Sequence, residues 1–214
     1  MQVKICGIKR MEEVEILNRY PVDYAGFIFA ASKRQVTPEQ AGVLIARLRP
    51  GITPVGVFVD ESPQRVNDLV RECGLEVVQL HGRESVEDIR RIKARVWKTI
   101  PVDVEDPSSL EILESWEAAL PKLPNLEGLL LDARVGGQSG GTGKAFPWSW
   151  AAGLEERFPL FLAGGLCPEN IREAIRTLHP ALVDVNSGVE TDLLKDEEKI
   201  RRLFEEIDKE EKDR

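Results

Sequence analysis

Val3-Lys4-Ile5-Cys6-Gly7-Ile8-Lys9 is the stretch that decides the architecture. Its apolar opening reads as a buried strand, and the residues at the end of that strand separate two ways of arranging alternating strands and helices. An open, doubly wound sheet built for a dinucleotide carries its glycine fingerprint directly after the first strand, where the backbone must approach a pyrophosphate. Here that position holds Cys6-Gly7-Ile8-Lys9, and the glycine-rich strand ends come late in the chain. A closed barrel of parallel strands fits better, because all its strand ends of one polarity meet at a single mouth.

Working outward, the spacing predicts strands near 3–6, 24–29, 54–59, 77–80, 96–100, 128–132, 160–163 and 182–185, with helix-length amphipathic segments between them. About eight such pairs close a (β/α)8 barrel, and the continuous apolar character of the runs is what burial on both faces produces. Helix starts carry recognisable chemistry. Thr37-Pro38-Glu39-Gln40 combines an N-cap threonine, a first-turn proline and a glutamine placed for a capping box. Ser62-Pro63 opens a helix that Gly74 can end, Ser85-Val86-Glu87-Asp88 is a second capping pattern, and Pro168 is expected to start a later helix.

At 214 residues the chain is expected to form one barrel domain over 1–214, with residues 205–214, dense in charges of both signs, as a last helix fraying into a solvated tail. A net charge of -8 disfavours a sequence-independent grip on nucleic acid, which needs a basic surface to displace counterions. No apolar stretch reaches the roughly 20 residues of a membrane span, and no signal-like segment precedes the first strand. Three cysteines without close pairing fit neither a disulfide framework nor a metal site. These features point to a cytoplasmic protein with reduced thiols, no membrane partner and no metal.

Cys6 and Asp132 each stand at the end of a predicted strand, so a thiol and a carboxyl far apart in sequence are expected to flank one substrate. Lys4 shares a strand face with Cys6, where its ammonium would favour the thiolate. Gly128-Leu129-Leu130-Leu131 leads Asp132 out of an apolar interior, and desolvation there favours a proton-holding general acid. Three glycine-bearing loops, Gly140-Gly141-Thr142-Gly143, Ala163-Gly164-Gly165 and Asn186-Ser187-Gly188, come after the last three strands, the sector where barrels place phosphate. Gly143, Gly164, Gly165, Ser187 and Gly188 are the candidate phosphate cradle, although each glycine alone is equally a tight turn. Arg34 sits in the loop after the second strand, either as a solvated cation or as a fork for a substrate carboxylate. Gln79 and His81, near the end of the fourth strand, are candidates to line the same mouth.

Taken in order, Lys4-Ile5-Cys6-Gly7, Gly26-Phe27-Ile28-Phe29, Ser32-Lys33-Arg34, Gln79-Leu80-His81-Gly82, Leu130-Leu131-Asp132, Gly140-Gly141-Thr142-Gly143-Lys144, Leu162-Ala163-Gly164-Gly165 and Asp184-Val185-Asn186-Ser187-Gly188-Val189-Glu190 resemble phosphoribosylanthranilate isomerase of tryptophan biosynthesis over nearly the whole chain. The resemblance implies a TIM barrel that performs a cofactor-independent Amadori rearrangement of a small phosphoribosyl substrate, as a monomer or homodimer. It further implies Cys6 as general base, Asp132 as general acid, Arg34 as partner of the anthranilate carboxylate, and Gln79, His81 and Asp184 as substrate-binding residues. After Glu190 the chain departs from the family's frequent Pro-Gly step and reads Thr191-Asp192-Leu193-Leu194-Lys195-Asp196. Two rivals are the sister isomerase of histidine biosynthesis, including dual-substrate versions, and a non-catalytic phosphosugar-binding barrel. The sister family uses an aspartate as first-strand base, which Cys6 opposes, and a mere binder has no need of both Cys6 and Asp132 at the mouth.

Overall fold

The apolar runs become strands of one closed sheet. The computed structural model describes residues 1–135 and 144–213 and the backbone of 138–139. Its barrel strands are β1 (Gln2–Cys6), β2 (Tyr24–Ile28), β3 (Thr53–Phe58), β4 (Val77–Leu80), β5 (Arg95–Asp103), β6 (Leu126–Val135), β7 (Leu160–Leu162) and β8 (Leu182–Val185). Each pairs in parallel with its neighbours, β5 with β6 and β8 with β1, so the ring has no open edge.

Alternation along each strand divides the core in two. Residues two apart share a face, and Tyr24, Val55, Val77, Trp97, Phe161 and Leu182 fill the barrel interior as a cluster distinct from the larger core beneath the helices. Trp97 lies edge-on to Tyr24 and Phe161, with ring centroids 4.8 and 5.1 Å apart. This apolar plug lifts the polar inward residues, which come later on each strand, toward the C-terminal mouth.

The helices are α1 (Met11–Leu17), α2 (Pro38–Ile45), α3 (Pro63–Cys73), α4 (Val86–Arg91), α5 (Ile112–Glu117), α6 (Ile171–Leu178) and α7 (Glu197–Lys212). The caps at Thr37, Ser62 and Ser85 form as expected, and Gly74 ends α3 in the left-handed region. Four expectations need correction. Among the described residues no α-helix joins β6 to β7; the segment after Pro147 forms short 3-10 turns over Trp148–Ala151 and Leu154–Glu156, interrupted by Gly153 at φ 87°. Pro168 lies in a turn before α6, because the Asn170 side chain accepts from Cys167 N–H and donates to the Gly165 carbonyl, delaying the helix to Ile171. Asp132 is not terminal: β6 continues to Val135, held by an extended β5 that pairs Pro101 with Asp132 and Asp103 with Arg134. Residues 205–212 do not fray either. They continue α7, where Ile207 is buried and the buried Glu210 carboxylate receives Arg172 and Arg176.

The segment after Glu190 is a small antiparallel hairpin, Glu190–Thr191 against Leu194–Lys195, turning through Asp192 at φ 52° and Leu193 at φ 64°. Two successive left-handed residues define the type I′ geometry that favours Asn-Gly, and a leucine there is strained. Leu193→Gly is expected to raise stability by about 1 kcal/mol through relief of that strain. A urea midpoint at or below that of the parent chain would show the turn to be unstrained.

Candidate active site

A cavity of about 230 Å³ opens at the C-terminal mouth, lined by Cys6, Arg34, Gln79, His81, Asp132 and Asp184, together with Gly164, Gly165 and Ser187. Thus Cys6 and Asp132, on strands separated by β7 and β8, face one space. Gly26 makes room for the thiol. It pairs with Cys6 across β1 and β2, and a Cβ there would lie 2.7 Å from Sγ and 3.1 Å from Lys4 Cε. Gly7, at φ 82°, does the same for the Arg34 stem, which a Cβ would meet at 2.7 Å.

Lys4 is fully buried beneath Cys6. Its Nζ donates to Asp184 Oδ2 at 2.6 Å and to Gln79 Oε1 at 2.8 Å, and it also interacts with the Cys6 sulfur. Burial disfavours the ammonium, yet Asp184 and Cys6 together hold the Lys4 pKa above its ordinary value. The expected activation of Cys6 is not the net effect. Burial pushes the thiol up, Lys4 pulls it down, and Asp184 pushes it up again, leaving it raised. The other Asp184 oxygen, Oδ1, is buried without a hydrogen-bond partner among the described residues. A carboxylate oxygen in that state is matched to a hydroxyl donor from a ligand.

Asp132 is buried, and its Oδ2 lies 3.2 Å from His81 Nε2. Gln79 lines the pocket floor, but its amide is committed to the protein, with Nε2 reaching Thr99 Oγ1 at 3.3 Å and His81 Nδ1 at 3.4 Å.

Arg34 is neither a solvated cation nor an unoccupied fork. Its Nε and Nη2 donate to the two oxygens of Glu190 at 2.8 and 2.5 Å. Glu190 also receives Lys195 Nζ at 2.6 Å, and Lys195 donates in turn to the Asn186 backbone and side-chain oxygens. Burial opposes the Glu190 carboxylate, but the contacts from Arg34 and Lys195 hold its pKa below the usual range. The bidentate clamp fixes the guanidinium plane of Arg34 in the cavity wall, which also contains Ala31 and Ser32. Glu190, Lys195, Gly26 and Gly7 have no role that the sequence pattern alone brings out. The strand pairing of Cys6 with Gly26 is nonetheless a usable signal, since an inward cysteine needs space opposite it.

The glycine loops owe their composition first to packing. Gly164 and Gly165 have φ 87° and 68°, and a Cβ on them would strike Ala133 N at 2.3 Å and the Lys144 carbonyl carbon at 2.5 Å. A Cβ on Gly188 would lie 1.9 Å from the Leu166 carbonyl oxygen, and Gly188 is not part of the pocket wall. Gly164, Gly165 and Ser187 do border the cavity, whereas Gly143 and its loop lie outside the described residues.

A thiol and a carboxyl facing one small cavity at the C-terminal mouth of a (β/α)8 barrel are a set of groups suited to acid–base chemistry. A family model described as N-(5'phosphoribosyl)anthranilate (PRA) isomerase matches residues 3–206. The chain belongs to the phosphoribosylanthranilate isomerase family. A relative from Acetivibrio thermocellus, named N-(5'-phosphoribosyl)anthranilate isomerase, is 42% identical over 212 residues, covering 93% of this chain and 92% of its own. The solved phosphoribosyl anthranilate isomerase from Thermotoga maritima superposes with a TM-score of 0.86 at 36% identity, covering 98% of this chain and 99% of that one. A phosphoribosyl anthranilate isomerase solved in complex with reduced 1-(o-carboxyphenylamino)-1-deoxyribulose 5-phosphate is similar at TM-score 0.83 and 34% identity, with coverages of 98% and 99%.

The electrostatics of the site can be measured at two residues. Because the Cys6 thiol is held above its ordinary value of 9.0, carboxamidomethylation of Cys6, monitored by peptide mass, should still be accelerating at that pH. A plateau below pH 9.0 would mean that Lys4 outweighs burial. For Glu190 the folded pKa lies below its ordinary 4.5, so its contribution to stability is full above the unfolded value and is lost as pH falls through the folded one. The stability gap between the parent chain and Glu190→Gln should therefore be constant at neutral pH and shrink below about pH 4.5. A gap independent of pH through the acid range would contradict the clamp.

Proposed function

We propose that Cys6 and Asp132 are the base and acid with which this aldose–ketose isomerase of tryptophan biosynthesis converts N-(5'-phosphoribosyl)anthranilate to 1-(2-carboxyphenylamino)-1-deoxyribulose 5-phosphate. The reading is supported above all by one observation, the two groups facing the same cavity from separate strands. Asp132 gives a proton to the ribose ring oxygen, and the C1–O bond breaks to leave an iminium. That cation acidifies the proton at C2, which the Cys6 thiolate removes, and the resulting enolamine tautomerises to the ketone. C1 is reduced by as much as C2 is oxidised, so the rearrangement balances within the substrate and requires no electron carrier.

The raised thiol pKa is compatible with this role. Substrate closes the cavity over Cys6, and the iminium supplies a positive charge beside the sulfur at the step when the thiolate is needed. Arg34, held by Glu190, receives the anthranilate carboxylate. Asp184 Oδ1 accepts from a ribose hydroxyl, and His81 lines the wall next to the acid. Gly164, Gly165 and Ser187 receive the 5-phosphate through backbone N–H groups, with Gly188 shaping the loop behind them. The free thiols Cys6, Cys73 and Cys167 suit a reducing cytoplasm. Among the described residues no helix is long and apolar enough to cross a membrane. The assembly is a monomer or homodimer.

Cys6→Ala and Asp132→Asn should each lower kcat by roughly 10²–10⁴-fold while substrate affinity stays near that of the parent chain. Loss of phosphoribosylanthranilate fluorescence measures turnover, and circular dichroism establishes folding. A folded variant with undiminished kcat removes that residue from the mechanism. Binding without turnover in the parent chain itself would favour the non-catalytic barrel, and turnover of the histidine-pathway substrate would favour the dual-substrate reading.

A further inference from the structure

Lys4 can only donate hydrogen bonds, and this polarity propagates across the barrel. Its Nζ contact fixes the oxygen of the Gln79 amide toward β1, so the NH2 group points the other way, toward Thr99 Oγ1 and His81 Nδ1. An amide NH2 cannot accept, so Nδ1 must present its lone pair. The proton of a neutral imidazole then resides on Nε2, the atom 3.2 Å from Asp132 Oδ2. Every link is thus directed: Lys4 to Gln79, Gln79 to His81, His81 to Asp132. The alternative Gln79 orientation sets its NH2 against the Lys4 ammonium, two donor groups facing one another in a buried site.

We propose that Gln79 is a positioning residue for the proton-transfer step, setting His81 as the neutral Nε2–H tautomer so that an N–H donor is aimed at Asp132 Oδ2 before substrate arrives. The donor stabilises the carboxylate that forms when Asp132 gives up its proton, and it leaves Oδ1 as the oxygen that delivers the proton. With the opposite tautomer, the Nε2 lone pair would compete with the substrate ring oxygen for that proton. The proposal rests on Asp132 being the acid, but the tautomer itself does not.

The test is 15N NMR of the imidazoles, which distinguishes protonated from lone-pair nitrogens. The chain has two histidines, so His179→Gln identifies the His81 signals. In the parent chain at neutral pH, His81 is expected to show a lone-pair Nδ1 and a protonated Nε2; a protonated Nδ1 overturns the proposal with no variant needed. Gln79→Glu replaces the NH2 with an acceptor and should put a proton on Nδ1. It should also lower kcat roughly 10–100-fold with KM within about 2-fold, the scale on which losing a partner that orients a working histidine is felt. A folded Gln79→Glu with an unchanged His81 spectrum, or with parental kcat, overturns the proposal. Gln79→Met serves if the charged variant does not fold, with mixed tautomers and reduced kcat as the expected result and an unchanged spectrum as the contrary one. His81→Gln, whose Nε2 stands in for the imidazole Nε2–H, should retain more activity than His81→Leu; equal losses would contradict the donor role. If instead the tautomer is as expected and Asp132→Asn is fully active, the acid assignment fails while the hydrogen-bond polarity stands.

Discussion

The organisation of the mouth depends on one buried cation. An ammonium inside a barrel is costly unless each of its protons meets an acceptor, and Lys4 meets this demand with Asp184, Gln79 and the Cys6 sulfur. The three partners come from β8, β4 and β1, so satisfying the charge also fixes three sides of the pocket. Removing Asp184 would leave a buried charge without its counter-ion, whereas removing Gln79 or Cys6 would leave the ion pair in place and one ammonium proton without its acceptor, so the polar floor above the apolar plug of Tyr24, Trp97 and Phe161 is anchored on Asp184. The same arrangement holds Asp184 with one oxygen used and one oxygen offered.

The upper wall repeats the principle with different chemistry. Arg34 is aimed by Glu190, Glu190 is balanced by Lys195, and Lys195 ties back to Asn186 at the start of the loop that carries Ser187. Side chains that would otherwise lose rotamer freedom on binding are already fixed, so recognition of a carboxylate costs less ordering. The short hairpin that begins at Glu190 delivers Lys195 to this network and places Asp196 as the cap of α7, where its carboxylate accepts from the N–H groups of Glu198 and Lys199.

Much of the fold is legible in the sequence because it obeys local rules. Continuous apolar runs of strand length, capping residues at Thr37, Ser62 and Ser85, and the missing glycine fingerprint after Cys6 lead to a parallel barrel without tertiary information. The illegible remainder depends on partners distant in sequence. The extension of β6 beyond Asp132 requires the matching extension of β5, and the order of residues 205–212 comes from Arg172 and Arg176 meeting Glu210. In the site, the convergence of Cys6 and Asp132 can be read from strand position. The commitment of Arg34 to Glu190 cannot, since 156 residues separate them. The glycine pattern by itself suggests ligand approach, whereas close backbone packing accounts for Gly164, Gly165 and Gly188. The effect of Lys4 on Cys6 also needs the structure, because it is a contest between charge and burial.

One small substrate is proposed to bridge the thiol of Cys6 and the carboxyl of Asp132. A crystal structure of the chain with reduced 1-(2-carboxyphenylamino)-1-deoxyribulose 5-phosphate bound tests it most directly. C2 of the ligand is expected about 3–3.5 Å from Cys6 Sγ, a reacting distance, with the ligand carboxylate on Arg34 and its phosphate against Gly164, Gly165 and Ser187. A ligand whose C2 lies beyond contact with Cys6, or whose phosphate sits on Arg34 with the ring reversed, would contradict it.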